Sequence, residues 1–448
     1  MKKIFQILLL FILLIGFSNN CNAQTISEII SESPLDKSST IAVSIKDTDS
    51  GKTIYEYNEK KLLHPASTLK VFTALPALEA LGEKYTFKTI FYTYNNDLYL
   101  KLGADPFLTS ENLKQCIKEI KAQGYKSFKN IYIDDSIIDN VEWGVGWMWD
   151  DGTNSLMQKF SAYNIDNNTI NLTITKNSNG ITITPSSSYS LPVLNTVKAG
   201  NKNDLYTVRH DWISPDIVCV SGTISGNSNI KVPINNMKRY FENRLFNYLD
   251  RSNIKIENKT CLNKKVPENA KKVSMSAHFA STTMGNILKS SDNRCAETLA
   301  KVAGGVKYNT TGNLADQINL FYDFWNENGV DTSGIIISDA SGISRNNLIT
   351  ADFMTNALNK LFNIYGADKM KSILAQPGEG TMAQRMLNHR GSLYLKTGTL
   401  SNISGITGYV ITENGKTYSV AILIQNFIYP MSQIKIFENQ LLETIEKM

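Results

Sequence analysis

The chain is poor in cysteine and histidine. Of five cysteines in 448 residues, Cys21 falls in an N-terminal apolar leader, which leaves Cys116, Cys219, Cys261 and Cys295. So few thiols exclude a disulfide scaffold; a bridge is allowed, and spacing does not choose among the three full pairings. No CxxC pair occurs, and His64, His210, His278 and His389 form no HExxH, which argues against a zinc site. Charge of one sign is also lacking: 46 basic residues face 41 acidic ones, and the formal +5 falls to +3 once Lys2 and Lys3 leave with the leader. That balance gives no electrostatic case for nucleic acid or an anionic membrane surface. GxSxG, Walker A and GxGxxG are all missing, so a Ser/His/Asp elbow and a nucleotide-binding loop have no support. What remains, with 42% hydrophobic and 19% charged residues, is a folding chain long enough for one large core with insertions or for two to three domains.

Met1-Lys2-Lys3, the apolar run Ile4 to Gly16 and the small-residue site Cys21-Asn22-Ala23 read as a secretory signal cut after Ala23. Its apolar core is shorter than the roughly 20 residues a membrane span needs, and no later run reaches that length. Export, to the periplasm, is expected. Lipidation at Cys21 is the alternative, set against Ser18-Asn19-Asn20, a poor lipobox.

The two ends of the chain resemble each other in kind. Residues 40 to 58 alternate as a hairpin around Asp49-Ser50-Gly51. From Ser67, Leu69, Val71, Phe72, Leu75, Leu78 and Leu81 follow helical spacing up to Gly82, with Pro76 expected to kink or end the helix. Near the other end, ISGITGYVIT and KTYSVAILIQNF flank Glu413-Asn414-Gly415-Lys416 as a second hairpin, and Ile434, Phe437, Leu441, Leu442 and Ile445 mark a final amphipathic helix. One discontinuous domain, residues 24–83 with 265–448, is expected from these ends. Residues 84–264, with short strand-like runs and Asn, Ser and Gly turns, read as a β-rich insertion of one or two subdomains with one helix near 109–124.

Chemistry is carried by serines and lysines. Of four SxxK strings, at Ser67, Ser228, Ser252 and Ser432, only the first both opens an apolar helix and precedes the other motifs. Lys70 then lies one turn along on the same face as Ser67, where a neutral lysine can take the hydroxyl proton, provided that burial and a second cation depress its pKa. Read alone, Ser67 is more simply a helix cap. Lys396-Thr397-Gly398-Thr399 is the only K[ST]G, at the end of a strand-like run; Ser291-Asp292-Asn293 joins two helix-like runs. Each alone is an ordinary polar turn.

Together the order SxxK, SDN, KTG is that of penicillin-binding proteins and active-site serine β-lactamases. The gap between Ser67 and Ser291 is too long for a simple β-lactamase. The chain resembles the type-4 low-molecular-mass penicillin-binding proteins, the D-alanyl-D-alanine carboxypeptidase/endopeptidase family S13, also through LGADPFLT, GWMWDDGTNSLMQKFSAYNIDNN, SDASGISRNNLIT, PGEGTMAQRM and KTGTLSNISGITGYV, over about residues 36 to 440. It departs at Ala104, where glycine is usual, and at His278-Phe279-Ala280-Ser281.

The resemblance implies an α/β (α+β) fold, a transpeptidase-like domain with an antiparallel sheet flanked by helices. It implies a serine hydrolase acting on peptidoglycan stem peptides or cross-links and acylated by β-lactam antibiotics, with no metal or cofactor needed. Ser67 would attack, Lys70 accept its proton and Ser291 relay a proton to the leaving amine. Asn293 would bind the substrate backbone, and Lys396, Thr397 and Thr399 its carboxylate, with Gly398 allowing close approach. The backbone N–H groups of Ser67 and Thr399 would hold the oxyanion, and cationic Lys396 would help keep Lys70 neutral. Rival readings are a serine β-lactamase, for which Glu327 is the nearest deacylating acid, and a non-catalytic peptidoglycan-binding protein of the same fold. Trp147, Trp149, Asp150 and Asp151 read as a structural turn rather than as the lining of a groove, Cys295 as packing, and His64 as satisfying a loop rather than as a base.

Overall fold

A computed structural model describes residues 24–186, 191–208 and 217–448. The expected leader, residues 1–23, and His210 lie outside the described residues.

The central sheet has five antiparallel strands in the spatial order Leu393–Leu400, Ile403–Ile411, Thr417–Gln425, Thr40–Asp47, Thr53–Tyr57. Strands from both ends of the chain meet where Thr40–Asp47 pairs with Thr417–Gln425. The alternation that marked these segments divides their side chains between two layers. Ile41, Val43 and Ile45 pack with Leu393, Leu395 and Val410 beneath the terminal helices Ile26–Glu32 and Met431–Glu446, which bury Ile30, Ile434, Leu441 and Ile445. The opposite face receives the helices Lys70–Leu81, Asn293–Tyr308, Leu314–Glu327 and Ala351–Ile373.

Pro76 does not end its helix, which runs from Lys70 to Leu81 and stops at Gly82 with φ +80°. Proline withholds the N–H that would reach the Phe72 carbonyl four residues back. That carbonyl accepts instead from the indole Nε1 of the buried Trp325, at 3.0 Å.

In the middle of the chain a second five-stranded sheet has the order Cys261–Asn263, Ile131–Asp134, Asp97–Lys101, Thr86–Tyr94, Lys271–Phe279. Its last strand pairs along Thr86–Tyr94 and lies beyond residue 264, so this sheet crosses the boundary expected there. Two three-stranded sheets follow, one of Thr169–Asn177, Gly180–Pro185 and Ser228–Pro233, the other of Val193–Ala199, Asp204–Val208 and Val218–Ile224. The expected helix is present as Ser110–Ala122, and a second, Met237–Arg251, accompanies it. Of the other SxxK serines in this region, Ser252 is the C-cap of that second helix and Ser228 opens a strand. Cys116, Cys219, Cys261 and Cys295 are free thiols, so the allowed bridge is not made. Among the described residues no helix is long and apolar enough to cross a membrane.

Candidate active site

Ser67 sits inside a 3-10 turn, Ala66–Leu69, that leads directly into the helix Lys70–Leu81. It is therefore not a side-chain cap: its Oγ accepts from Lys70 Nζ at 2.8 Å. Ala66 holds a positive φ of 45°, which turns the chain sharply just before the serine. Lys70 is fully buried, and Nζ donates also to Asn293 Oδ1 at 2.6 Å and to the Ser341 carbonyl at 2.6 Å. Burial lowers its pKa from 10.5 to about 8, against the opposing pull of Asp339, Glu297 and Asp292.

Ser291 lies between the π-helical turn Gly285–Lys289 and the helix Asn293–Tyr308, in a left-handed conformation with φ 63°. Asp292 caps that helix by accepting from Cys295 N at 2.8 Å, which leaves Ser291 Oγ to accept from Lys396 Nζ at 2.9 Å. Asn293 Nδ2 donates to the Leu156 carbonyl at 2.7 Å. Lys396 is buried as well, and Nζ also donates to the Thr397 carbonyl at 2.7 Å. Its pKa falls well below the ordinary value through burial and the neighbouring Lys70. Like-charge repulsion is mutual, so the two lysines disfavour being charged together, and burial disfavours the charged form of each.

Leu393–Leu400 is an edge strand, and Leu395 exchanges backbone hydrogen bonds with Ala375 on its outer side. By the two-residue period of an antiparallel pair, Thr397 and Thr399 also turn their N–H and C=O groups to that edge. Thr397 Oγ1 donates to Thr381 Oγ1 at 2.8 Å, and Thr399 is exposed. Gly398 faces the nucleophile turn: a Cβ there would lie 2.9 Å from both the Pro65 carbonyl oxygen and Ser67 N. Every predicted site residue therefore belongs to one constellation of two serine–lysine pairs, an asparagine and a strand edge.

The other residues singled out fall around it. Trp147 is buried and its Nε1 donates to Asp339 at 2.8 Å, whereas Trp149 is exposed and Asp151 accepts from the Met148 N–H at 3.2 Å. Cys295 is buried, with its thiol pushed well up by burial. His64 gives its carbonyl to Gln425 Nε2 at 2.8 Å. Glu327 is exposed at the end of the helix Leu314–Glu327 and is not among the groups that interact with Lys70 or Lys396. It is not a candidate for activating water at Ser67. Sequence reasoning missed Ser341, because its contribution is a backbone carbonyl that side-chain identity does not reveal. It also missed the buried acids Glu297 and Asp339, although a lone acid in the run CAETLAKVA is a visible signal.

A serine and a buried lysine on one turn, faced by a second serine–lysine pair at a sheet edge, have the arrangement that serine acyl transfer of the penicillin-binding type requires. The chain belongs to the D-Ala-D-Ala carboxypeptidase 3 (S13) family, whose model matches residues 22–442, and it is a serine hydrolase. It is 26% identical over 430 residues to a D-alanyl-D-alanine carboxypeptidase of Actinomadura sp. (strain R39), covering 87% of this chain and 78% of the relative. It is 23% identical to the D-alanyl-D-alanine carboxypeptidase DacB of Haemophilus influenzae, covering 93% and 91%. The crystal structure of penicillin binding protein 4 from that organism shares the fold with a TM-score of 0.84 at 22% identity, over 94% of this chain and 99% of that one. A predatory endopeptidase from Bdellovibrio bacteriovorus, acylated by penicillin G, is similar at a TM-score of 0.53 and 15% identity, over 91% and 92%.

Proposed function

We propose that the protein hydrolyses the bond between the two D-alanines of peptidoglycan stem peptides, or the equivalent cross-link, through an acyl-enzyme on Ser67. The observation that carries this reading is the set of partners around Lys70 Nζ. Two of its three, the Asn293 amide oxygen and the Ser341 carbonyl, only accept, so they take N–H bonds. As an ammonium Lys70 also donates to Ser67 Oγ; once neutral it has only two such bonds to give, so the proton lost is the one directed at Ser67 and its lone pair then faces that oxygen. Burial favours that neutral form.

Ser67 Oγ attacks the carbonyl carbon while its proton passes to Lys70 Nζ. The backbone N–H groups of Ser67 and Thr399 hold the developing oxyanion. Ser291 Oγ accepts from Lys396, so its own proton is free for the leaving amine. The C–N bond breaks, the amine leaves with that proton, the Lys70 ammonium returns a proton to Ser291, and water then hydrolyses the ester to the acid and the free Ser67 hydroxyl. Lys396, with Thr397 and Thr399, binds the terminal carboxylate, and Asn293 the amide backbone beyond the reacting carbonyl. Penicillins carry the same carbonyl and carboxylate and acylate Ser67. We assign the mature chain to the periplasm, starting at Gln24; intact mass of protein recovered from that compartment tests the cleavage site.

The test of the activity is incubation with a fluorescent penicillin, with covalent mass and release of D-alanine from a pentapeptide read in parallel. One lasting adduct, lost in Ser67→Ala together with D-alanine release, is expected. Absence of both adduct and turnover overturns the reading. Rapid penicillin hydrolysis without a lasting adduct overturns it in favour of a β-lactamase.

A further inference from the structure

The mechanism leaves two buried acids near the nucleophile, Glu297 and Asp339, without a role. Glu297 lies one helical turn beyond Asn293 and is 1% exposed. Its Oε1 accepts from two consecutive backbone amides, Ala340 N at 3.0 Å and Ser341 N at 2.8 Å, while Oε2 accepts from Gln317 Nε2 at 3.1 Å. The Ser341 carbonyl, from the same residue, is the one that accepts from Lys70 Nζ. Other bonds fix this turn from the remaining sides. Thr73 Oγ1 donates to the Ala340 carbonyl at 2.7 Å, and Asp339 accepts from the Gly342 and Ser344 amides at 2.8 and 2.7 Å. Gly342, at φ +81°, packs so closely on the nucleophile turn that a Cβ would fall 1.9 Å from the Ala66 carbonyl oxygen.

We propose that Glu297 is a positioning residue for Ser67 and Lys70: by taking both N–H groups of the Ala340–Ser341 segment it aims the Ser341 carbonyl at Lys70 Nζ. The inference rests on the reading of Lys70 as the base for Ser67. With the carbonyl in place, one N–H of the amine is committed to it and another to Asn293, and the lone pair faces the serine. With the carbonyl turned away, an N–H swings to Ser67 Oγ and the base becomes a donor.

The charged groups around Lys70 are Asp339, Glu297 and Asp292, which favour its ammonium form, and Lys396, which lies beside it on the facing strand. Burial and the nearby Asp339 raise the Glu297 pKa to about 7, so at alkaline pH it carries a charge of its own. Charge and reach are therefore separable. Glu297→Gln keeps an oxygen for both amides, and its new NH2 finds the Gln317 Oε1, which has no partner now, once that amide turns over. Glu297→Asp keeps the charge but withdraws the carboxylate by one methylene.

The experiment measures acylation by a fluorescent penicillin between pH 5.5 and 9.5, resolving initial binding from the first-order covalent step, for wild type, E297Q and E297D. In E297D the covalent step is expected to fall about 30-fold or more with initial binding little changed. E297Q is expected to recover it to within about threefold, with the acid limb moved to lower pH because a neutral amide no longer favours the Lys70 ammonium. E297D acylating as fast as wild type, or E297Q as slow as E297D, overturns the inference. Should E297D not fold, Thr73→Val loosens the same turn from its other side: a three- to tenfold loss in the covalent step supports the proposal, and wild-type kinetics overturn it. Failure of wild type itself to acquire an adduct sinks the underlying reading, whereas an acylated wild type matched by E297D sinks only the role of Glu297.

Discussion

Lys70 Nζ reaches Ser67 Oγ at 2.8 Å from within the protein, with its other two contacts made to atoms that have no proton to give. Because burial lowers the lysine pKa to about 8, the neutral form that can act as base is populated above that pH and lost below it. The rate of penicillin acylation is expected to climb about tenfold per pH unit from pH 6 toward 8 and then level off. A stopped-flow profile that stays flat across this range would contradict Lys70 as the titrating base.

Lys396 is a buried lysine that donates to Ser291 Oγ and is proposed to receive the substrate carboxylate as a cation. Removing a charged hydrogen-bond partner is worth roughly 1.5–3 kcal/mol. Lys396→Ala is therefore expected to lower kcat/KM for a D-Ala-D-Ala peptide by about 10- to 150-fold. Amidation of the peptide's C-terminus should cost wild type a similar factor and the variant little. Equal losses in both proteins would separate Lys396 from carboxylate binding.

Gly398 has no room for a side chain, since a Cβ would meet the Pro65 oxygen and Ser67 nitrogen at 2.9 Å and the Ala66 Cβ at 3.0 Å. Two of these are backbone atoms of the turn that presents the nucleophile, so they cannot swing aside as a flexible side chain does. Gly398→Ala should push the strand edge off that turn, lowering stability by about 1–3 kcal/mol. Acylation should fall more steeply than stability, because the proposed oxyanion donors, the N–H groups of Ser67 and Thr399, sit on the two parts being separated. A urea titration beside the acylation rate checks this; wild-type values in both would mean that the edge and the turn are not rigidly joined.

The parts of this architecture that follow a period were readable in advance. Ile434, Phe437, Leu441, Leu442 and Ile445 were expected on one helical face, and all are buried. The site was readable by another route, since residues 105 and 223 positions apart, Ser291 with Lys396 and Lys70 with Asn293, share no local pattern. Only the order of three short motifs, and the family they resemble, linked them. The helix Met237–Arg251 was overlooked although Asn236 caps it and Met237, Tyr240, Phe241, Leu245, Tyr248 and Leu249 are buried at helical spacing, because charged and Asn residues between them dilute the signal. Nothing in the residue types reveals the positive φ of Ala66 or Ser291, which the surrounding packing imposes. Backbone acceptors such as the Ser341 carbonyl are silent in a sequence for the same reason.

The unbroken helix at Pro76 offers the most direct test of how the scaffold supports the nucleophile. The proline leaves the Phe72 carbonyl without its helical donor, and Trp325 Nε1 supplies one from the neighbouring helix at 3.0 Å. Trp325 also packs its rings edge-on to Phe72 and Phe353. Trp325→Phe keeps an aromatic ring but removes the donor and part of the volume. A buried carbonyl left unpaired costs about 1–3 kcal/mol, with a further contribution from the cavity. Pro76→Ala restores the backbone N–H that can reach Phe72, so in that background the hydrogen-bond share of the loss should disappear and only the cavity share persist. The double-mutant cycle, measured by urea unfolding, is expected to show a coupling of about 1 kcal/mol between positions 76 and 325. Additive effects would mean that the indole serves as packing alone and that the Phe72 carbonyl draws nothing from it.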